Sequence, residues 1–241
     1  MINIVIPMAG LGSRFAKAGY KKPKPFIDVK GVTMIERVLN NLKVKNANYY
    51  LISNANHLKH EAATIKRISE KYNVKFLPIE ILTEGTACTV LFSRKYINND
   101  LPLMIANSDQ IIDHDINNYI SDCVNRGLDG SILCFEDSEL NPKWSFAKID
   151  KNNLVIEVKE KEAISKYATV GIYYFAKGKD YVNGAIDMII NNERVNNEFY
   201  TCPVYNKLIE NNKKIGIYLI DRIFMNGIGT PDDLNEYLLK I

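Results

Sequence analysis

The first part of the chain alternates short apolar runs with longer amphipathic segments. Ile2–Pro7 is apolar and β-branched and predicts a strand, whereas Met34–Leu42 repeats its apolar residues at helical spacing and predicts a helix. The same alternation predicts strands at Tyr49–Ser53, Val74–Ile79, Leu101–Ala106 and Ser131–Phe135, with helices at His57–Tyr72, Thr86–Arg94 and Ile116–Arg126. Because these strands are apolar enough to be buried on both faces, we predict an α/β fold with a mainly parallel sheet between helices.

After about Asn141 the pattern changes. Ser145–Asp150 and Leu154–Lys159 flank a turn-like Lys-Asn-Asn tripeptide and predict an antiparallel hairpin. The remaining predicted elements are strands at Thr169–Phe175 and Ile215–Ile220 and helices at Asp180–Asn191, at Pro203–Asn211 and from Pro231. Since neither a linker nor a repeat interrupts the chain, we predict a single domain over residues 1–241 with a small lid-like hairpin.

Composition narrows the class of protein. Of the 241 residues, 46% are hydrophobic and 24% are charged, which is the ordinary globular mixture. A net charge of +3 is too small to indicate nucleic-acid or membrane-surface binding, and no apolar run approaches the ~20 residues of a membrane span. With no signal-peptide pattern at its start and no Cys-x-x-Cys pair among its four cysteines, the chain is predicted to be cytoplasmic and reduced.

The most informative segment follows the first strand. Gly10-Leu11-Gly12-Ser13-Arg14-Phe15 is followed by Lys22-Pro23-Lys24-Pro25-Phe26, and five basic residues precede the first acidic one, Asp28. Glycines allow main-chain N–H groups to approach phosphate oxygens, Arg14 can bind phosphate with two hydrogen bonds, and Lys24 adds a point charge. The segment has neither the Walker A spacing nor the third glycine of the dinucleotide fingerprint. The alternative, a glycine turn with solvated lysines, explains the combined pattern less well.

This signature closely resembles that of the sugar-phosphate nucleotidyltransferases, or pyrophosphorylases. Further similar segments follow in the same order as in that family: Gly85-Thr86-Ala87, Asn107-Ser108-Asp109, Glu160-Lys161, Val170-Gly171-Ile172-Tyr173 and Gly229-Thr230-Pro231. The resemblance implies a Rossmann-like fold that joins a nucleoside triphosphate to a small phosphorylated acceptor and releases pyrophosphate. It also implies a nucleotide-binding part (1–140) and an acceptor-binding part (141–241). A homodimer would be an ordinary assembly for this family.

The resemblance also assigns candidate residues. Arg14, Lys24 and Asp109 are the catalytic candidates, and Lys24, Glu160, Lys161 and Gly171 are the acceptor-binding ones. The nucleotide-binding candidates are Met8, Ala9, Gly10, Gly12, Ser13, Arg14, Glu80, Gly85, Thr86, Ala87, Asn107 and Ser108. For Glu160 and Lys161 the alternative is a solvated face, because they stand in a run of charged residues.

Asp109 follows an apolar strand, at the end of a sheet where ligands bind in open α/β folds. A carboxylate there can hold Mg²⁺ against phosphate oxygens, although it could instead cap the following turn. The family carries a second metal-binding aspartate two residues before the terminal Gly-Thr, and this chain has Gly227 there. Asp221 is the substitute that we consider, with an exposed strand-end residue as the alternative.

Three functions are compatible with these features. The first is a nucleotidyltransferase, which needs positioning and charge neutralisation and no covalent residue. The second is a glycosyltransferase, although Ser108-Asp109-Gln110 lacks the usual Asp-x-Asp motif. The third is a non-catalytic, nucleotide-binding regulatory protein, which the missing acid at Gly227 favours. His57, His60 and His114 have no metal-ligand spacing and are predicted to lie at the surface.

The Pro7-Met8-Ala9-Gly10 segment and the Gly229-to-Leu234 segment resemble those of enzymes from surface-polysaccharide gene clusters. The resemblance is strongest to the capsule-associated CTP:phosphoglutamine cytidylyltransferases. That resemblance implies CTP as the nucleotide and phosphoglutamine as an acceptor, with UTP or dTTP and a sugar 1-phosphate as the alternative. Aligning Gly85-Thr86-Ala87 with the similar turn of the family implies that Glu80 takes the place of a glutamine in thymidine-using relatives, and a shift of one residue would instead turn it outward to solvent. Because a carboxylate only accepts hydrogen bonds, it suits the exocyclic amine of cytosine, which favours CTP.

Overall fold

The computed structural model describes residues 1–241 and contains thirteen strands and ten helices. The strands are β1 (Ile2–Pro7), β2 (Asp28–Val29), β3 (Val32–Thr33), β4 (Ala47–Asn54), β5 (Val74–Ile79), β6 (Leu103–Ala106), β7 (Gln110–Ile112), β8 (Gly130–Glu136), β9 (Ser145–Ile149), β10 (Val155–Glu160), β11 (Tyr167–Phe175), β12 (Ile215–Leu219) and β13 (Met225–Gly227). The helices are α1 (Ser13–Lys17), α2 (Met34–Asn41), α3 (Ala55–His60), α4 (Ala62–Tyr72), α5 (Thr86–Leu91), α6 (Arg94–Ile97), α7 (Ile116–Asn125), α8 (Gly178–Ile190), α9 (Val204–Glu210) and α10 (Pro231–Lys240). Two 3₁₀ turns cover Lys24–Phe26 and Arg222–Phe224.

The centre of the molecule is a nine-stranded sheet. Its path runs β10-β9-β11-β6-β1-β4-β5, and β8 pairs with β11 on one side and β12 on the other. Strands β6, β1, β4 and β5 are mutually parallel, whereas β11 is antiparallel to both β6 and β8. The predicted α/β fold with its mainly parallel sheet is confirmed, with one reversed strand in the middle.

Apolar side chains cover both faces of this sheet. Along β1, Ile4 and Ile6 belong to one buried cluster and Val5 belongs to the other, because successive side chains of a strand point to opposite faces. The first cluster includes α2 residues such as Val38, and the second includes α8 residues such as Tyr181. The continuous apolar strands therefore reflect burial on two sides, as the sequence indicates.

Several predicted boundaries differ from the observed ones. The helix predicted over His57–Tyr72 is two helices that are separated at Glu61, and the one predicted over Thr86–Arg94 ends at Leu91 before α6 begins. The predicted hairpin forms as β9 and β10, and it joins the main sheet where Phe146 pairs with Ala168. The two-stranded sheets β2–β3 and β7–β13 were not predicted, because strands of two or three residues carry too little sequence pattern.

The topology brings the candidate site to one edge of the sheet. Since β1 and β6 are parallel neighbours, the segments that follow Pro7 and Ala106 lie side by side. β11 runs the other way, so its beginning lies at the same edge, where Ile172 pairs with Ala106. The last short strand, β13, pairs with β7 directly after Asp109.

None of the helices is long and apolar enough to cross a membrane. All four cysteines are free thiols: Cys123, Cys134 and Cys202 are buried, and Cys88 is partly exposed. Burial raises the pKa of the Cys123 thiol to about 12, so this group stays protonated and packs as a small apolar residue.

Candidate active site

The loop after β1 surrounds a cavity of about 250 Å³. Its lining comes from five separate parts of the chain, namely Pro7, Met8, Gly10, Gly12, Ser13, Arg14, Phe15, Lys24, Pro25, Thr86, Ser108 and Gly229. Gly12 has φ +61°, and a Cβ there would lie 3.1 Å from the Cβ of Lys24. A glycine is therefore required at this point to fold the loop against the segment that carries Lys24. Ala9 is buried behind the loop and does not line the cavity.

Lys24 and Asp109 form a salt bridge between the loop and the end of β6. Both side chains are partly exposed, at 18% and 27% respectively. Gly229 makes room for this pair, because a Cβ on Gly229 would lie 2.8 Å from Oδ2 of Asp109. Three of the predicted motifs thus meet at one point. Arg14 is exposed beside them and makes no salt bridge.

A turn at Gly85 carries Thr86, which lines both cavities. Gly85 has φ +116°, and a Cβ there would lie 2.4 Å from the carbonyl oxygen of Phe199. The N–H of Phe199 donates to the Glu84 carbonyl at 2.7 Å, and the N–H of Ala87 donates to the Phe199 carbonyl at 2.9 Å. Thr201 adds hydrogen bonds from its N–H and its hydroxyl to Oγ1 of Thr86. This turn is therefore fixed by a segment more than a hundred residues later.

Asn107 and Gly171 are in direct contact across β6 and β11. The N–H of Asn107 donates to the Gly171 carbonyl at 3.0 Å. Gly171 has φ +89°, and a Cβ there would lie 2.2 Å from Nδ2 of Asn107. The pairing of β11 with β8 is interrupted between Thr169 and Tyr173, so the strand bulges at this glycine. The Asn107 side chain occupies the space that the bulge leaves.

A second cavity, of about 770 Å³, continues from the first through Arg14, Thr86 and Gly229. Glu160 lines it and accepts a hydrogen bond from the Ser145 hydroxyl, and burial raises the pKa of its carboxyl group. Lys161 has φ +58° and donates to the Tyr200 hydroxyl at 2.7 Å, which raises the pKa of Lys161. The run of charged residues that contains Glu160 and Lys161 is therefore not a wholly solvated face, because the Glu160 side chain lines the cavity.

Five of the sequence-based candidates line neither cavity: Ala9, Gly85 and Ala87 lie beside lining residues, whereas Glu80 and Asp221 lie farther away along the chain. Glu80 is exposed after β5 and lines neither cavity. Asp221 is exposed and lines a separate recess of about 450 Å³, together with His114 and Glu136. Asp221 therefore supplies no second carboxylate beside Asp109.

No group of three or more acidic, histidine or cysteine side chains is placed to hold a metal ion. The donor set around Asp109 is one carboxylate beside the glycine loop that carries Arg14. That set fits Mg²⁺, which keeps several waters and takes one or two carboxylates together with substrate phosphates.

Several lining residues of the large cavity were not predicted from the sequence. They are Gln110, Lys143, Trp144, Ser145, Tyr200, Thr201, Cys202 and Arg222. The aromatic run Phe199-Tyr200 in a polar segment is the one signal that could have indicated this surface. The others become neighbours only through the pairing of distant strands.

These features define an α/β protein with a crevice at the carboxyl ends of its parallel strands, which is where ligands bind in open α/β folds. The family model described as Nucleotidyl transferase matches residues 4–239, so the chain belongs to that family.

Individual relatives agree with this assignment. The chain is 27% identical to the bifunctional protein GlmU of Methanococcus aeolicus over 245 residues, which cover 99% of this chain and 55% of the relative. For the GlmU protein of Methanocaldococcus jannaschii the identity is 25% over 245 residues, with 99% and 54% covered. The chain thus spans about half the length of these curated relatives. A solved nucleoside-diphosphate-sugar pyrophosphorylase from Vibrio cholerae is 26% identical, with a TM-score of 0.81 and 98% and 99% of the two chains covered.

None of these relatives is described as a cytidylyltransferase or a capsule enzyme. The finer resemblance to capsule-associated cytidylyltransferases gains no support from them.

Proposed function

We propose that this protein transfers a nucleotidyl group from a nucleoside triphosphate to the phosphate of a sugar phosphate. The observation that carries the proposal is the Lys24–Asp109 pair, which lies where the glycine loop meets the large cavity. Family membership and the pyrophosphorylase relative support a sugar phosphate as the acceptor. The residue ranges 1–140 and 141–241 would then contribute the nucleotide side and most of the acceptor side.

The reaction needs no covalent residue. An oxygen of the acceptor phosphate attacks the α-phosphorus, the bond from that phosphorus to the bridging oxygen breaks, and pyrophosphate leaves with the electron pair. Because both reactants are anionic, the main task of the protein is to hold them together against their repulsion. Arg14, Lys24 and the N–H groups of the loop supply positive charge and donors for this purpose.

Mg²⁺ is the proposed cofactor, and Asp109 is the residue that would hold it. When bound, the ion neutralises phosphate charge. Lys24 would exchange its contact with Asp109 for a phosphate oxygen, since an ammonium group can turn toward either partner.

The acceptor side is built to bind hydroxyl groups. The Glu160 carboxylate keeps acceptor capacity beyond its bond from Ser145, so it can receive hydrogen bonds from sugar hydroxyls. Lys161 stands next to it, fixed by Tyr200, and can contact the acceptor phosphate.

The nucleobase is the finer part of the proposal. The sequence favours CTP because a carboxylate at Glu80 would accept a hydrogen bond from cytosine, but Glu80 lines neither cavity. We therefore favour UTP or dTTP, the alternative nucleotides that the sequence allows, over CTP. Steady-state kinetics with the three nucleotides on the wild type and on Glu80→Gln test this choice, and a strong CTP preference that Glu80→Gln abolishes would reverse it.

Pyrophosphate release tests the proposal itself. The protein is mixed with each nucleoside triphosphate and with glucose 1-phosphate, other sugar 1-phosphates, phosphocholine or phosphorylated amino acids. We expect release that requires both a nucleotide and a sugar 1-phosphate. A regulatory protein would release none, and a glycosyltransferase would instead consume the nucleoside-diphosphate sugar. Dimer formation stays a prediction that sedimentation can check.

A further inference from the structure

Arg222 extends the wall of the large cavity beyond the groups that the proposed reaction uses. It lies on the 3₁₀ turn before β13, lines both this cavity and the recess of Asp221, and has a side chain that is 46% exposed. β13 ends at Gly227, which pairs with Gln110, the residue after Asp109. At about 3.3 Å per residue, this short strand separates Arg222 from the reacting end of the cavity by roughly 10 Å. Arg222 is therefore placed to meet a part of the acceptor other than the transferred phosphate.

A buried carboxylate holds the Arg222 guanidinium in place. Nη1 of Arg222 donates to Oδ1 of Asp137 at 3.1 Å, and Asp137 is 0% exposed. Oδ2 of Asp137 accepts from the Asn141 N–H at 2.8 Å. Asp137 does not line the cavity, and Nε and Nη2 of Arg222 have no hydrogen-bond partner in the protein. The ion pair thus fixes one nitrogen of the guanidinium and leaves the Nε–Nη2 edge available to a ligand.

Lys143 supplies a second cation beside the same pair of aromatic rings. The rings of Phe135 and Trp144 pack edge to face with their centroids 5.4 Å apart. Cζ of Arg222 lies 5.8 Å from the Phe135 centroid, and Nζ of Lys143 lies 4.6 Å from the Trp144 centroid. Lys143 lines the same cavity and makes no salt bridge. Since Asp137 offsets only one of the two cations, the three charged groups together carry one net positive charge.

We infer that Arg222 and Lys143 bind a carboxylate of the acceptor, at a distance from the phosphate that reacts near Lys24. The inference rests on the proposed function, because it names the class of acceptor for that site: a sugar phosphate that also carries a carboxylate, such as a uronic acid 1-phosphate. The two N–H groups along the free Nε–Nη2 edge match the two oxygens of a carboxylate. Lys143 adds a point charge that attracts the same group.

Two matched acceptors test the inference on the wild type. Glucuronic acid 1-phosphate differs from glucose 1-phosphate only in the carboxylate that replaces its CH₂OH group. Calorimetric titration with Mg²⁺ present measures the Kd of each, so the result does not depend on which nucleotide reacts. We expect the Kd of glucuronic acid 1-phosphate to be lower by roughly 5- to 50-fold, because hydrogen bonds between charged groups are stronger than those to a neutral hydroxyl.

Variants assign this preference to residues. Arg222→Met should raise the Kd of glucuronic acid 1-phosphate to that of glucose 1-phosphate and leave the latter unchanged. Because Arg222→Met leaves the buried Asp137 unpaired, Lys143→Met is a second variant whose melting temperature should equal that of the wild type. It should raise the Kd of glucuronic acid 1-phosphate roughly 2- to 5-fold. Lys166→Met is the matched control, since Lys166 is an exposed cation that pairs with Glu136 at 2.7 Å and lines neither cavity. It should change neither Kd.

The inference and the proposed function fail in different ways. Equal Kd values for the two acceptors on the wild type, or no measurable binding of glucuronic acid 1-phosphate, would overturn the inference. A preference for glucuronic acid 1-phosphate that persists in both Arg222→Met and Lys143→Met would overturn it as well. Each of these results leaves the proposed function intact, because glucose 1-phosphate can still serve as the acceptor. Absence of pyrophosphate release with every sugar 1-phosphate would instead contradict the proposed function, whatever the two Kd values.

Discussion

At the scale of single residues, the site depends on one ion pair and the glycines that allow it. Lys24 and Asp109 come from the loop after β1 and from the end of β6, and Gly229 leaves the volume that the Asp109 carboxylate needs. Gly12 similarly lets the loop pack on Lys24. These contacts explain why cationic and acidic groups here are close together and only partly exposed.

Lys24→Ala should reduce kcat by about 10²–10³-fold, because it removes a charge that stabilises the transition state. Lys22→Ala is the matched control, since Lys22 is exposed and contacts Glu61 at 3.4 Å outside both cavities. Initial rates of pyrophosphate release measure the effect, and circular dichroism checks the fold. Near-normal turnover by Lys24→Ala would remove Lys24 from the mechanism.

Glu160 should make acceptor binding depend on pH. Burial raises the pKa of its carboxyl group above its ordinary value of 4.5. The carboxylate that accepts hydroxyl hydrogen bonds is thus lost, as pH falls, at a higher pH than for an exposed glutamate. We expect the KM for the acceptor to rise in mild acid with the wild type. In Glu160→Gln the KM should be high and independent of pH in that range, and a parallel pH profile for the two proteins would contradict this role.

At the scale of elements, distant segments hold one another in place around the crevice. The turn at Gly85 is fixed by the segment around Phe199, and the bulge of β11 at Gly171 receives Asn107. Lys161 at the end of β10 is tied to Tyr200, which belongs to the same segment as Phe199. One segment thus contacts both the predicted nucleotide side and the predicted acceptor side.

Gly85→Ala should destabilise the protein and raise the KM for the nucleotide. The added methyl would lie 2.4 Å from the Phe199 carbonyl oxygen, so the two backbone segments must separate. Gly19→Ala is the control, because Gly19 also has positive φ, at +88°, and open space around it. Its free energy of unfolding should fall only by the cost of the backbone strain, about 1–3 kcal/mol. Equal denaturation midpoints and equal nucleotide KM values for the two variants would show that this contact is unimportant.

The sequence predicted the long elements and the local motifs, and the reasons differ. The fold was predictable because strands such as β1 are buried on both faces and leave continuous apolar runs. Lys24 and Asp109 were predictable because glycines, prolines and strand ends mark their positions. Gln110, Ser145 and Tyr200 were not, since their place in the cavity depends on pairing between distant strands. Glu80 was assigned by analogy to relatives and Asp221 as a strand-end substitute for the aspartate that is missing at Gly227, and neither lines the cavities at Asp109.

At the scale of the whole molecule, the mixed sheet unites two halves of the chain around continuous cavities. β11 lies beside β6 in the reverse direction, so the later residues Glu160 and Gly171 share the crevice with the earlier Asn107 and Asp109. A nucleotide bound at the loop and an acceptor bound in the larger cavity would meet near Asp109.

Removal of divalent metal should abolish activity, and Mg²⁺ or Mn²⁺ should restore it. Asp109→Asn keeps the shape of the side chain and removes its charge, so it should weaken Mn²⁺ binding, measured by calorimetric titration with the nucleotide present. Asp221→Asn serves as the comparison, because Asp221 lies in a separate recess and should bind Mn²⁺ like the wild type. Unchanged Mn²⁺ binding in Asp109→Asn, with a loss in Asp221→Asn, would reverse the assignment.

The central claim is that the crevice joins a nucleotide to a sugar phosphate. The most direct measurement is the stoichiometry of products, determined by mass spectrometry and a pyrophosphate assay, after incubation with a nucleoside triphosphate, Mg²⁺ and a sugar 1-phosphate. The account predicts one nucleoside-diphosphate sugar for each pyrophosphate, and neither product when the sugar phosphate is omitted. Release of pyrophosphate together with free nucleoside monophosphate, independent of any sugar phosphate, would contradict it.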